Sequence, residues 1–328
     1  MSELITAGEP MALFIADEKG QLSTVQHFTR YLAGADVNVS VGVSRLAHTV
    51  TFLTQIGNDP FGTFFCDYLK KENIDVSAVQ MSNVWPTGFM LKGLSDNGRP
   101  ETFYFRKGSA SSRIETNSVD KVNFSGAKIL HLGGILPGLS ETAYQTTLAL
   151  IKKARDNQLK ITFDPNLRPT IWDSEEQMIQ RTNEIACLCD VVMPNIKEAR
   201  MLTGETEREK MADYYLEKGV QQVIINLVDD GSYTKKKEVD QSYTEIFAPN
   251  FITENIIDRI GAGDGFVSGV VSAMLEGLSD YEVLLRGNAI GSIQMQHLGD
   301  NDGLPTREQL DAFMNQAKLN QKGEQNSV

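Results

Sequence analysis

Lys128-Ile-Leu-His-Leu-Gly-Gly134, the segment Ser140 to Asn157, and Lys160-Ile-Thr-Phe-Asp164 together decide the fold. The first run is apolar, too short for a helix, and stopped by two glycines. Ala143, Thr147, Leu150, Ile151 and Ala154 then recur on one helical face, and a second short apolar run follows. Ser140 with Glu141 behind it marks a helix start. A strand, a crossover helix and a strand predict parallel pairing, because the helix returns the chain to begin the next strand in the same direction.

The alternation continues on both sides. Residues 174–189 read as a helix, and Val191-Val-Met193 and Val223-Ile-Ile-Asn-Leu227 as buried strands. Residues 262–277, 280–298 and 306–319 read as helices. Leu4 to Ala7 is a short first strand. Within 36–56 a helix-like segment precedes the strand Val50–Ile56, and after Gly57-Asn-Asp-Pro-Phe-Gly62 a helix runs to about Glu72. The expected fold is α/β, with a mostly parallel central sheet covered by helices on both faces. Ligands in such folds bind outside the carboxyl ends of the strands. No repeat, low-complexity block or linker interrupts residues 1–320, which read as one domain, and 321–328 read as a flexible polar tail.

Residues 84–106 break the pattern. Gly88-Phe-Met-Leu-Lys-Gly-Leu94 and Glu101-Thr-Phe-Tyr-Phe-Arg106 flank Asn97-Gly98, a hairpin signal because both turn residues tolerate positive φ.

The chain has 328 residues and a formal net charge of −12. That balance argues against nucleic acid and against anionic membrane surfaces as partners, since both need a basic footprint. Cys66, Cys187 and Cys189 are too few and too irregular for a disulfide framework. His27, His48, His131 and His297 form no metal-binding spacing. With no signal-peptide pattern and no apolar run near the ~20 residues that span a bilayer, a cytoplasmic location is expected.

Five segments can carry chemistry. Asp258-Arg-Ile-Gly-Ala-Gly-Asp264 opens an apolar helix, so the N–H groups of Gly261, Ala262 and Gly263 can bind an anion, with Asp264 beside it as a base. A glycine-rich turn with an Asp stabilising a helix start reads the same residues without chemistry. Asp164-Pro-Asn166-Leu-Arg168 follows a strand end, where Arg168 can clamp a carboxylate or stand as a surface arginine in a turn. Tyr104-Phe-Arg106-Lys107 is either a local anion site or a charged hairpin edge. Asn195 and Glu198, three apart at a helix start, suit Mg²⁺ through oxygen ligands and water, or a capping box. The small-residue stretch Ala33-Gly-Ala-Asp-Val-Asn38 opens another helix, where Asp36 and Asn38 can hydrogen-bond polyol hydroxyls or act as polar caps.

In this order the segments resemble the ribokinase/phosphofructokinase-B family of sugar kinases over essentially the whole chain, with Gly57-Asn-Asp59, Gly62 and Gly303-Leu-Pro-Thr306 adding to the match. Within the family they are most similar to 2-keto-3-deoxygluconate kinases, through Gly8-Glu9, Tyr104 to Ala110 and Asp164-x-Asn-x-Arg168 with Trp172. The resemblance implies a ribokinase-like fold, a small β lid from about 10–32 and 84–108, a sugar acid and ATP as ligands, Mg²⁺, and a homo-oligomer formed through the lid. It implies Asp264 as base and the N–H groups of Gly261, Ala262 and Gly263 as phosphoryl stabilisers. Gly34, Asp36, Asn38, Phe89, Tyr104, Arg106, Asp164, Asn166 and Arg168 would hold the sugar acid. Asn195, Lys197, Asn226, Val228, Gly231, Gly261, Gly263 and Asn288 would line the nucleotide side, with Asn195 and Glu198 organising the metal. The chain departs from the family's pattern at Arg259 and Ile260, where two threonines are usual, and at Val228, where glycine is usual, with Asp229 and Asp230 next. Those departures motivate a rival reading, a non-catalytic sugar or nucleotide sensor. A kinase of a neutral sugar such as fructose is a second rival.

Overall fold

The computed structural model describes residues 1–94, 100–253 and 255–320. Its strands, in chain order, are β1 (Leu4–Ala7), β2 (Met11–Ala16), β3 (Phe28–Ala33), β4 (Val50–Gly57), β5 (Val79–Ser82), β6 (Gly88–Lys92) and β7 (Thr102–Phe105). They continue with β8 (Ile129–Gly133), β9 (Lys160–Asp164), β10 (Val191–Val192), β11 (Gln222–Asn226), β12 (Gly231–Lys237) and β13 (Tyr243–Pro249). The βαβ unit forms as its pattern predicts: β8 and β9 pair in parallel, with Leu132 beside Phe163, and the helix Glu141–Asp156 connects them. Ser140 caps that helix, its hydroxyl accepting the Ala143 N–H at 3.1 Å.

The large sheet has nine strands in the order β13-β12-β11-β10-β9-β8-β1-β4-β5. Pairing is parallel from β11 to β5, and β12 and β13 add an antiparallel edge. β12 has no apolar signature, since it reads Gly-Ser-Tyr-Thr-Lys-Lys-Lys. Lys235 is accommodated within it because Asp213 and Glu245 lie 2.8 and 2.9 Å from its ammonium. Strand side chains alternate between two cores. Ile5, Leu132, Phe163 and Ile225 face the helices Glu141–Asp156, Glu175–Ala186 and Arg208–Leu216. Leu4, Phe52, Val191 and Ile224 face the helices Ala35–Arg45, Pro60–Lys71, Ala262–Leu275 and Asp280–Gln294. Each fully buried large apolar side chain contributes about 1.5–3 kcal/mol. Sequence periodicity alone could not reveal this arrangement, because strands buried on both faces lack polar alternation.

The helices Ala262–Leu275 and Asp280–Gln294 pack closely, since a Cβ on Gly269 would stand 2.8 Å from Arg286 O. The small sheet, in the order β3-β2-β6-β7, is separate, and its Met11, Met90 and Tyr104 share a cavity with Asp164 and Asn226 at the carboxyl ends of β9 and β11. β6 and β7 pair antiparallel as the hairpin reading expects, while the turn Asn97-Gly98 and the tail 321–328 lie outside the described residues. β6 also pairs with β2 in parallel, so the small sheet joins two distant stretches of chain. Among the described residues no helix is long and apolar enough to cross a membrane, and all three cysteines are free thiols.

Candidate active site

Asp264 occupies the first turn of the helix Ala262–Leu275. Its N-cap, Gly261, has φ 84°, and a Cβ there would come within 2.3 Å of Asp300 O. Only glycine meets both conditions. No side chain caps this helix, so the N–H groups of its first turn remain available to an anion.

The Asp264 carboxylate is held from two sides. Asn38 Nδ2 donates to Oδ2 at 2.7 Å, and Asn166 Nδ2 donates to Oδ1 at 3.3 Å. Burial pushes the carboxyl up to about 6, while the Asn38 hydrogen bond and the Arg168 charge oppose that rise. Asn38 is itself fixed, because Asn301 Nδ2 donates to Asn38 Oδ1 at 2.8 Å and Tyr68 Oη donates to Asn301 Oδ1 at 3.0 Å. Asn166 reaches Asp264 from a tight turn. Its φ is 38°, a conformation asparagine tolerates, and its N–H donates to Asp164 Oδ1 at 3.1 Å.

Asn195 and Glu198 form the capping box that the sequence left as one alternative. Glu198 accepts the Asn195 N–H at 3.0 Å on one oxygen and the Leu167 N–H at 2.9 Å on the other. Each oxygen keeps a second lone pair. Burial raises the Glu198 carboxyl, and burial followed by the Glu198 and Asp264 charges raises Asp164 well above the usual range. A cation placed among these groups would relieve that strain in charge.

Two cavities meet over the glycine turn. The lid cavity, about 270 Å³, is lined by Gly34, Asn38, Tyr104, Arg106, Asp164, Asn166, Arg168, Glu198 and Asp264, with Met11, Met90 and Ile135 as apolar walls. The helix cavity, about 310 Å³, is lined by Lys197, Val228, Ala262 and Asn288. Asn195, Asn226, Arg259, Gly263 and Phe266 border both. Gly261 lines the lid cavity, and open space surrounds Gly263 where a side chain would project. Asn288 donates its amide to Ala248 O and Pro249 O, both at 3.1 Å, so it shapes a wall more than it offers a donor.

Three expected contacts fall elsewhere. Asp36 is buried behind the lid cavity, its carboxyl against the backbones of Gly8 and Gly133 at the ends of β1 and β8, and burial pushes it up to about 8. Phe89 points to the opposite face of the lid, stacked on Phe105 at 4.5 Å, and its neighbour Met90 faces the cavity. The period of two along β6 decides this, and GFMLK is apolar on both faces. Gly231 lines neither cavity. It is buried with φ 129°, and a Cβ there would stand 2.2 Å from Ala248 O, so it serves the β12–β13 contact. Arg106 lines the lid cavity but is also ion-paired with the buried carboxylate of Glu9, its Nε donating at 2.7 Å.

Arg259, Asp300 and Asn301 belong to the site although sequence reasoning assigned them no role. Arg259 stood out only as a departure from a pattern. It lies 3.0 Å from Asp229 and so offsets one of the acids beside Val228. Asn301 had no local signal at all, because its partner Asn38 is 263 positions away.

Residues 1–307 match the family model described as pfkB family carbohydrate kinase. The chain is 41% identical over 322 residues to a protein from Bacillus subtilis (strain 168) named 2-dehydro-3-deoxygluconokinase, covering 98% of each. It is 27% identical to the Arabidopsis thaliana protein named "Probable fructokinase-7", over 96% of this chain and 93% of that one. Among solved structures, a PfkB protein from Polaromonas sp. JS666 superposes with a TM-score of 0.85 at 34% identity, covering 95% of this chain and all of that one.

Proposed function

The chain belongs to the pfkB family of carbohydrate kinases, and we propose that it transfers the γ-phosphoryl group of ATP to the terminal hydroxyl of 2-keto-3-deoxy-D-gluconate, giving the 6-phospho product. The observation that carries this reading is the position of Asp264. It lines the lid cavity next to Gly263, which borders both cavities, at an uncapped helix start, with both oxygens oriented by asparagines.

The sugar acid belongs in the lid cavity and ATP in the helix cavity. Asp264 takes the proton of the terminal hydroxyl as that oxygen attacks, and a carboxyl near 6 is ionised and ready at neutral pH. The N–H groups of Gly261, Ala262 and Gly263 would donate to the transferring group, whose three oxygens need donors fixed in advance. Arg168 supplies the cation for the substrate carboxylate, while Arg106 and Tyr104 close the lid end. Arg259 borders both cavities and is placed to meet the triphosphate. Asn195, Glu198 and Asp164 would hold Mg²⁺, chiefly through water and phosphate oxygens, since no cluster of His, Cys, Asp and Glu among the described residues makes a metal site alone. The chemistry a divalent cation supplies there is neutralisation of phosphate charge. The free thiols fit a cytoplasmic setting, and the exposed lid residues Phe103 and Phe105 fit pairing of two chains through their lids.

A kinase of a neutral ketose is the second reading, favoured by the pairing of Arg106 with Glu9, which removes one net cation from the lid cavity. ADP release measured across sugar acids and neutral sugars separates the two. Turnover confined to neutral sugars would replace the proposed substrate, and turnover on none would end both readings. Asp264→Asn should lower kcat on the order of 10²–10⁴-fold on the preferred substrate. An unchanged kcat would remove Asp264 as the base.

A further inference from the structure

Lys92 ends β6 in the lid sheet, yet its side chain is only 1% exposed. Burial disfavours a charged ammonium unless carboxylates compensate. Here two do. Nζ lies 2.5 Å from Asp258 Oδ2 and 3.1 Å from Asp300 Oδ1, and those side chains are 4% and 8% exposed. Both carboxylates sit on the large domain, in the two loops that build the catalytic turn. Asp258 Oδ1 accepts the Ile260 N–H at 3.0 Å and so shapes the backbone entering Gly261. The Asp300 carbonyl is packed against Gly261 so closely that a Cβ would collide at 2.3 Å. The residue after Asp300 is Asn301, which orients Asn38 and through it Asp264. One ammonium from the lid therefore anchors the anion-binding turn on one side and the base on the other.

We infer that Lys92 is a positioning residue for phosphoryl transfer, a tethered cation that joins the lid to the loops at 258–263 and 299–301. The inference rests on the reading that Gly261 to Asp264 performs the transfer. Without the ammonium, Asp258 and Asp300 are two buried like charges with nothing between them, and they repel. The loops then separate, and the turn and the Asn301–Asn38–Asp264 chain lose their register. Displacements near 1 Å at a reacting centre cost on the order of 10²-fold in rate. Because the amine leaves a gap between two carboxylates, a small cation that enters it should restore the attraction.

The test uses the full-length enzyme with tetramethylammonium, too large for the gap, as the sole monovalent cation. Wild-type kcat should not respond to added potassium, ammonium or ethylammonium. Lys92→Ala should lose about 10²-fold in kcat, with the sugar KM nearly unchanged, and recover at least tenfold with a saturable dependence on ammonium or ethylammonium. Lys92→Gln keeps a donor without the charge, so it should fold readily and show a smaller loss relieved by the same ions; it decides the matter if the alanine variant is unfolded by circular dichroism. Several-fold activation of the wild type by a monovalent cation would overturn the inference. So would a folded Lys92 variant with wild-type kcat, or a loss that no cation relieves. Asp264→Asn should stay inactive under every cation tried, so a failure of the underlying site reading is seen in that variant and not in Lys92.

Discussion

Around the lid cavity, polar side chains are held by one another: Tyr68, Asn301, Asn38 and Asp264 form a continuous hydrogen-bonded series, and Asn166 closes it from the turn after β9. The helix cavity is built differently. Its wall includes Val228 at φ 62°, a β-branched residue in the left-handed region, beside an exposed ion pair between Arg259 and Asp229. In the proposed reaction the first cavity orients a base, which demands rigidity. The second would bind a ligand that brings most of its own charge, and its wall carries local strain and a solvent-exposed ion pair. Fixing one reactive atom demands buried, mutually satisfied groups, whereas holding a triphosphate needs mainly backbone donors and cations that can adjust.

If the buried series orients the base, removing its middle should have a larger effect than any change in the helix cavity. Asn38→Ala deletes the hydrogen bond to Asp264 Oδ2 and leaves Asn301 without that partner. A hydrogen bond to a charged group is worth about 1.5–3 kcal/mol, so kcat should fall roughly 10- to 100-fold. The direction of the pH effect follows as well. The Asn38 N–H favours the ionised carboxylate, so its loss raises the Asp264 carboxyl further. Wild-type activity should decline as pH falls through about 6, and in Asn38→Ala that acid limb should shift to higher pH. A pH–rate profile with an unmoved limb would mean that Asn38 does not set the ionisation of the base.

The same contrast governs what could be read from the chain. The parallel sheet was legible wherever an apolar run met a helix with one apolar face, as at 128–164, and the glycine turn announced itself because its glycines and Asp264 are adjacent. The order of the segments told which family they resemble. Illegible features depend on contacts between distant residues or on a local rule overridden by pairing. Lys92 looks like an ordinary solvated strand end until Asp258 and Asp300 fold onto it. Asp300 and Asn301 sit in Gly-Asp-Asn-Asp-Gly, which reads as a turn and nothing more. Met90, not Phe89, lines the cavity, a choice of face that the sequence cannot make because no polar alternation marks the faces of β6. Strand β12 carries three lysines, and one of them, Lys235, is made acceptable there by Asp213 and Glu245.

Arg259 tests the other cavity. If it meets the triphosphate from the border of the two cavities, Arg259→Ala should raise the KM for ATP by about tenfold, which corresponds to about 1.4 kcal/mol, and leave the sugar KM within a factor of two. The variant also frees Asp229, adding an unpaired negative charge on the nucleotide side. Equal increases in both KM values would place Arg259 on the sugar instead. Lysine at this position should restore only part of the affinity, because it lacks the planar fork that matches phosphate oxygens.

Val228 offers the smallest and most diagnostic change. Its backbone is fixed by the Asn226 side chain, which accepts the Val228 N–H at 2.8 Å, and by Asn250, which donates to its carbonyl at 2.8 Å. The conformation is therefore imposed from outside and should persist when the side chain is removed. A left-handed backbone costs an L-residue about 1–2 kcal/mol that glycine avoids, although glycine also gains freedom in the unfolded chain. Val228→Gly should thus stabilise the protein by up to about 1 kcal/mol, read as a rise of a few degrees in Tm. It also clears a half-exposed isopropyl group from the wall of the helix cavity. The KM for ATP should fall two- to fourfold while the sugar KM and the acid limb of the pH profile stay where they are. A lower Tm with an unchanged KM for ATP would show that the valine packs usefully and that the two cavities differ less in strain than the backbone suggests.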